Sequence, residues 1–184
     1  MGLSVVFDLS DEDLDYFEKI FSERRAGGED VALHDVVEAT SQLIATAQTR
    51  GAPPFILGKL EELRPMIAML TDDDWRLPPE DMVRVLGTLA YFADPEDLIP
   101  DDLPAMGYLD DAVMVELARR HLQPEIDAYL DFCSFRTAET ARRDAAGEDT
   151  GRGVSRLDWL DARRRELQDH MHEKRGHVSF FSRS

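Results

Sequence analysis

Apolar residues recur at intervals of three and four along most of this chain. No stretch alternates with the period of two that a half-buried strand requires. Within residues 10–28, Leu14, Phe17, Ile20 and Phe21 form one stripe. This predicts a first helix capped by Ser10, with acids in its first turn, Arg24 and Arg25 in its last, and Gly27-Gly28 as the stop. Val5-Val6-Phe7 just ahead is expected to pack back on it. A second helix is predicted over 30–51, with Asp30 as cap, Gly51 as stop, and Val36, Val37, Thr40, Leu43, Ile44 and Ala47 inward. A third is predicted over 54–70, carried by Leu57, Leu60, Leu63, Ile67 and Leu70. Pro65 lacks a backbone donor and should kink or split it. Asp72-Asp73-Asp74-Trp75 reads as a connecting turn, followed by a short, strongly apolar fourth helix over 78–93. The fifth, 110–123, turns Val113, Leu117 and His121 or Leu122 inward. The sixth starts near Pro124, since proline suits a first turn. It uses Ile126, Tyr129, Leu130 and Cys133 and fades near Arg143. The predicted fold is all-α: a compact bundle of about six helices with a Pro/Asp-rich connection and a C-terminal helical tail. The division expected is a domain over 1–145, a glycine-marked linker over 146–155, and a helical and aromatic tail over 156–184.

The connection between the fourth and fifth helices, "DPEDLIPDDLPAMGYLDD" (94–111), holds seven acids, three prolines and no base. Asp94-Pro95-Glu96-Asp97 has the order of a cap and first turn. Pro100 ends that turn, Asp101-Asp102 before Pro104 suits an Asx-type turn, and Gly107 supplies backbone freedom. Asp110 is expected to cap the fifth helix, with Asp111 at its first position. A cation site is the competing reading: Asp97, Asp101, Asp110 and Asp111, if brought together, would repel unless a hard cation relieved them. The spacing is not that of a calcium-binding EF-hand loop. A third reading neutralises these acids with Arg84, Arg119 or Arg120.

"YFADPEDLIPDDLPAMGYLDD" resembles the signature of the YkvA family, the DUF1232 domain of unknown function. The matching positions are Tyr91, Pro95, Asp97, Leu98, Ile99, Pro100, Asp101, Pro104, Gly107, Asp110 and Asp111. The likeness covers about a quarter of the chain, roughly 85–135, and "FDLSDEDLDYF" near the start adds a softer match. The resemblance implies a small helical domain and names no reaction. Many members look membrane-associated through apolar flanks. Here Asp94 and Glu96 replace a polar and an apolar residue of the pattern, and Glu116, Arg119 and Arg120 follow it. Several charges oppose insertion, since each costs at least ~2.5 kcal/mol at the centre of a bilayer.

Charge narrows the classes of partner. The 184 residues carry a formal charge of −17. Residues 1–150 hold 13 Lys+Arg and 33 Asp+Glu, while 151–184 hold 8 and 5. An acidic body lacks the basic footprint of a nucleic-acid binder. No long uncharged apolar run marks a membrane span, and no secretory signal is visible, so a cytoplasmic location is expected. Cys133 is the only cysteine, and its place on an apolar face predicts a buried, structural side chain. His34 and His121 are read as ordinary helix residues, and His170 and His172 as solvated. Arg163-Arg164-Arg165 is read as a solvated basic run. Phe180 and Phe181 either anchor a partner or pack on their own domain.

The function expected is a soluble, acidic, non-enzymatic protein-interaction module with a protein partner and no cofactor. Three alternatives are carried. One is a metal-dependent enzyme or metal-binding protein with a divalent cation on Asp97, Asp101, Asp110 and Asp111. The second is an acidic inhibitor or immunity-type protein, and the third a peripheral membrane protein. The oligomeric state is open.

Overall fold

The computed structural model describes residues 9–27, 32–93, 107–148 and 152–181, with backbone alone for 24–27 and 173–181. The chain is all-α, and no strand occurs among the described residues. Its elements are α1 (Asp11–Gly27), α2 (Leu33–Thr49), α3 (Pro54–Glu61), α4 (Leu63–Thr71), α5 (Pro79–Leu89), a 3-10 turn (Ala90–Ala93), α6 (Leu109–His121), α7 (Gln123–Ala146) and α8 (Arg156–Phe181). They divide into two units: residues 1–71 with 77–127, and residues 72–76 with 128–184.

In the first unit, α2 is the central helix. It packs against α3, α4, α5 and the 3-10 turn, while α6 closes on α1 and α3. Its buried residues are Val36, Thr40, Ile44 and Ala47, four of the six expected inward. Thr40 sits in the core because its hydroxyl donates to the Val36 carbonyl at 2.7 Å. Ser10 caps the first helix as expected. Its hydroxyl oxygen accepts from the Asp13 N–H at 3.2 Å, and the Asp13 carboxylate accepts the Ser10 N–H at 3.0 Å. This is a reciprocal capping box with aspartate in the glutamate's place. Val5, Val6 and Phe7 lie outside the described residues.

Three element boundaries differ from the sequence expectation. The second helix starts at Leu33 with Ala32 before it and no side-chain cap; Asp30 lies outside the described residues. The third predicted helix is two, divided at Glu62. The split precedes Pro65, which places the proline in the first turn of α4, where a missing N–H costs nothing. The fourth tightens into a 3-10 turn after Leu89, burying Ala90, Tyr91 and Phe92. Gly51 adopts φ +71° just beyond the α2 C-cap, the left-handed conformation that ends the helix.

In the second unit, the turn 72–76 lies against α7 and α8 around Trp75. The Trp75 ring is 5.5 Å from Tyr129, 5.1 Å from Phe132 and 5.5 Å from Trp159, with the Arg156 guanidinium 4.8 Å above it. The expected inward face of this part of α7 is displaced. Tyr129 and Phe132 are buried, whereas Leu130 is exposed and Cys133 is half-buried. The large aromatic side chains occupy the space around Trp75, and that rotates Leu130 outward.

Candidate functional site

The motif residues that are described sit at the start of α6. That helix begins at Leu109 with Tyr108 as its N-cap and no side-chain cap bond. Asp110 is therefore not the cap, and Asp111 is not the first residue. They occupy the second and third positions, where the positive end of the helix dipole favours a carboxylate. Both are buried, at 2% and 7% exposure. Aspartate is rarely this buried unless its oxygens are engaged. Gly107 is buried in the turn before them. Pro95, Asp97, Pro100, Asp101 and Pro104 lie outside the described residues. Among the described residues, no three His, Cys, Asp or Glu side chains gather as a metal site.

Further along α6, Glu116 organises a charged network. It accepts from Lys59 at 2.8 Å, from Arg119 at 3.1 Å and from Arg120 at 2.9 Å. Lys59 also reaches Glu62 at 3.0 Å, and Arg119 continues to Gln123 at 2.7 Å. The Arg119 hydrogen bond is the main reason that the Glu116 carboxyl lies at about 2, below its ordinary 4.5; burial opposes it, and Lys59 and Arg120 add to it. Arg84 pairs with Glu125. The three arginines expected to neutralise the motif acids thus have glutamate partners. The network holds α3 to α6.

In the second unit, Asp72 and Asp131 play the corresponding parts. Asp72 accepts the backbone N–H of Asp74 at 3.0 Å and of Trp75 at 3.3 Å. It also accepts the Tyr129 hydroxyl at 3.0 Å and Arg136 at 2.8 Å. Burial pushes its carboxyl up, but the bonds from Tyr129, Arg136 and the Asp74 amide outweigh it and leave it below the usual range. Burial, reinforced by the Asp72 carboxylate, raises the Tyr129 hydroxyl. Asp131 accepts the Trp159 indole N–H and the Arg163 Nε–H, each at 2.7 Å. These bonds fasten one face of α8 to α7.

The adjoining face of α8 is open. Leu157, Leu160, Leu167 and Met171 are 69%, 42%, 65% and 52% exposed. Their spacing follows the 3-4-3-4 step of a coiled-coil seam, with Arg164 at the intervening position. Other exposed apolar residues, such as Phe55 and Val83, belong to separate helices and form no such row. His170 and His172 are exposed, as expected. Phe180 and Phe181 fall within α8, with side chains outside the description.

Residues 81–117 match the family model described as "Protein of unknown function (DUF1232)". The chain carries a DUF1232 segment. Neither the curated proteins nor the solved structures yield a match to this chain. The DUF1232 segment runs from α5 through the 3-10 turn into α6, so it contains Asp110, Asp111 and Glu116. The open row on α8 and the Asp72 and Asp131 anchors lie beyond it. No helix among the described residues is long and apolar enough to cross a membrane. Sequence reasoning missed Asp72, Asp131, Arg136 and Glu116, because their partners are remote or looked like ordinary surface charges. The α8 row carried a signal: four apolar residues at seam spacing inside a charged helix.

Proposed function

We propose that this DUF1232-containing chain is a non-enzymatic interaction module that holds a protein partner on the open face of α8. One observation carries this reading: the exposed row Leu157, Leu160, Leu167 and Met171 on a helix whose neighbouring face is anchored through Trp159 and Arg163. Singly exposed leucines are ordinary, but apolar residues at seam spacing on one side of a helix leave an apolar surface in water, and such surfaces mark docking sites. The anchoring presents Leu157 and Leu160 without the ordering cost a free tail would incur. In this arrangement the DUF1232 segment builds the α5–α6 scaffold, and the partner is met elsewhere.

The test is site-specific crosslinking in the native host, with a photo-reactive residue replacing Met171. The expected result is a discrete protein adduct that disappears when Leu160→Glu and Leu167→Glu are added. An adduct that survives both changes, or none at all, would reject the reading.

A further inference from the structure

Arg164 interrupts the row on α8. It stands at a seam position between Leu160 and Leu167, is exposed, and makes no ion pair with a described residue. The flanking positions are Arg156, Asp161, Arg163, Gln168 and His170, so only one of the five is acidic. Arg156 and Arg163 already serve the second unit, on Trp75 and Asp131. The remaining acids of this part of the helix, Asp158, Glu166 and Asp169, fall on the opposite side by the 3.6-residue repeat. Among the described residues, the open face is therefore apolar with Arg164 as an unpaired cation at its centre.

A partner that covers this face must bury Arg164 or answer it. A buried, unanswered guanidinium is costly, whereas a carboxylate forms a charge-assisted pair with it. A second copy of α8 answers poorly. Paired in parallel, Arg164 meets Arg164; paired antiparallel in seam register, it meets Leu160 or Leu167. An anionic membrane would accept Arg164, but it would also draw the −17 chain to a surface of its own sign. From the seam spacing, Arg164 and these mismatches, we infer that the occupant is an amphipathic helix of another protein with a carboxylate facing Arg164. This inference rests on the interaction reading above and adds the partner's chemistry.

Two designed helical peptides test it on the full chain. Both carry leucine along the seam; one has glutamate at the flanks and opposite Arg164, the other lysine. The glutamate peptide should bind more than about tenfold tighter, and added salt should weaken it. Arg164→Glu should invert the preference. Leu160→Glu, or Leu167→Glu as an independent second change, should abolish binding while the helical circular dichroism stays unchanged. Equal affinity for the two peptides, or binding of neither, overturns the inference. So does a sedimenting dimer, or flotation with phosphatidylglycerol vesicles, that depends on Leu160 while the peptides do not bind. A stripe-dependent crosslink without the charge preference would sink this inference alone; loss of the crosslink would sink both.

Discussion

Asp72 does the work of several residues. Its carboxylate satisfies two backbone N–H groups of its own turn and also pairs with Tyr129 and Arg136, which are 57 and 64 positions away. Asp72→Ala should therefore cost about 2–4 kcal/mol, because it strands the guanidinium and opens the turn. Chemical denaturation of the purified variant measures this. Asp72→Asn should recover part of the loss by keeping the turn acceptor. Gly51 makes a contrasting case. A Cβ there would meet nothing within 4 Å, so any cost of Gly51→Ala comes from the φ of +71° alone. The expected loss is about 1–2 kcal/mol, read as a lower melting temperature with no change in helix content.

Helices here are joined by charge as well as by apolar packing. Glu116 links α6 to Lys59 on α3, and its carboxyl lies at about 2 against an ordinary 4.5. A depressed carboxyl stabilises the fold above its unfolded value and loses that contribution as protons bind the folded form. The network should thus be intact above pH about 4.5 and fail as pH falls towards 2. Glu116→Gln should lower stability at pH 7 by roughly 1–2 kcal/mol and flatten the acid limb of the stability curve in that window. An unchanged acid limb would contradict this account. On α8, the two adjoining faces should respond differently. Leu167→Glu on the open face should change stability by less than about 0.5 kcal/mol, whereas Trp159→Ala, which removes a ring on Trp75 and a bond to Asp131, should cost roughly 2–4 kcal/mol. Parallel melting curves of the two variants check it.

Over the whole molecule, charge is distributed unevenly between sequence regions. Residues 1–150 are strongly acidic, while 151–184 carry a small basic excess. The pI of about 4.6 predicts least solubility near that pH, measurable as turbidity across a pH series. The same range overlaps the pH at which the Glu116 contribution to stability begins to fall, so aggregation and unfolding should be separated by light scattering and circular dichroism on the same samples.

The sequence by itself determined the class and most of the elements. Helical periodicity, the Ser10 cap, the Gly51 stop and the break around Pro65 are local properties, set by neighbours within one or two turns. The DUF1232 segment was legible for the same reason, as a run of adjacent positions. The start of α6 moved by only two residues, but that shift changed Asp110 from a cap into a buried second position. Tertiary structure alone decided which ions meet, as with Asp72 and Arg136, because pairing across more than sixty positions depends on chain path. It also decided which side of α8 is covered. Trp159 and Leu160 are adjacent in sequence; the bond to Asp131 turns Trp159 towards α7 and leaves Leu160 facing water.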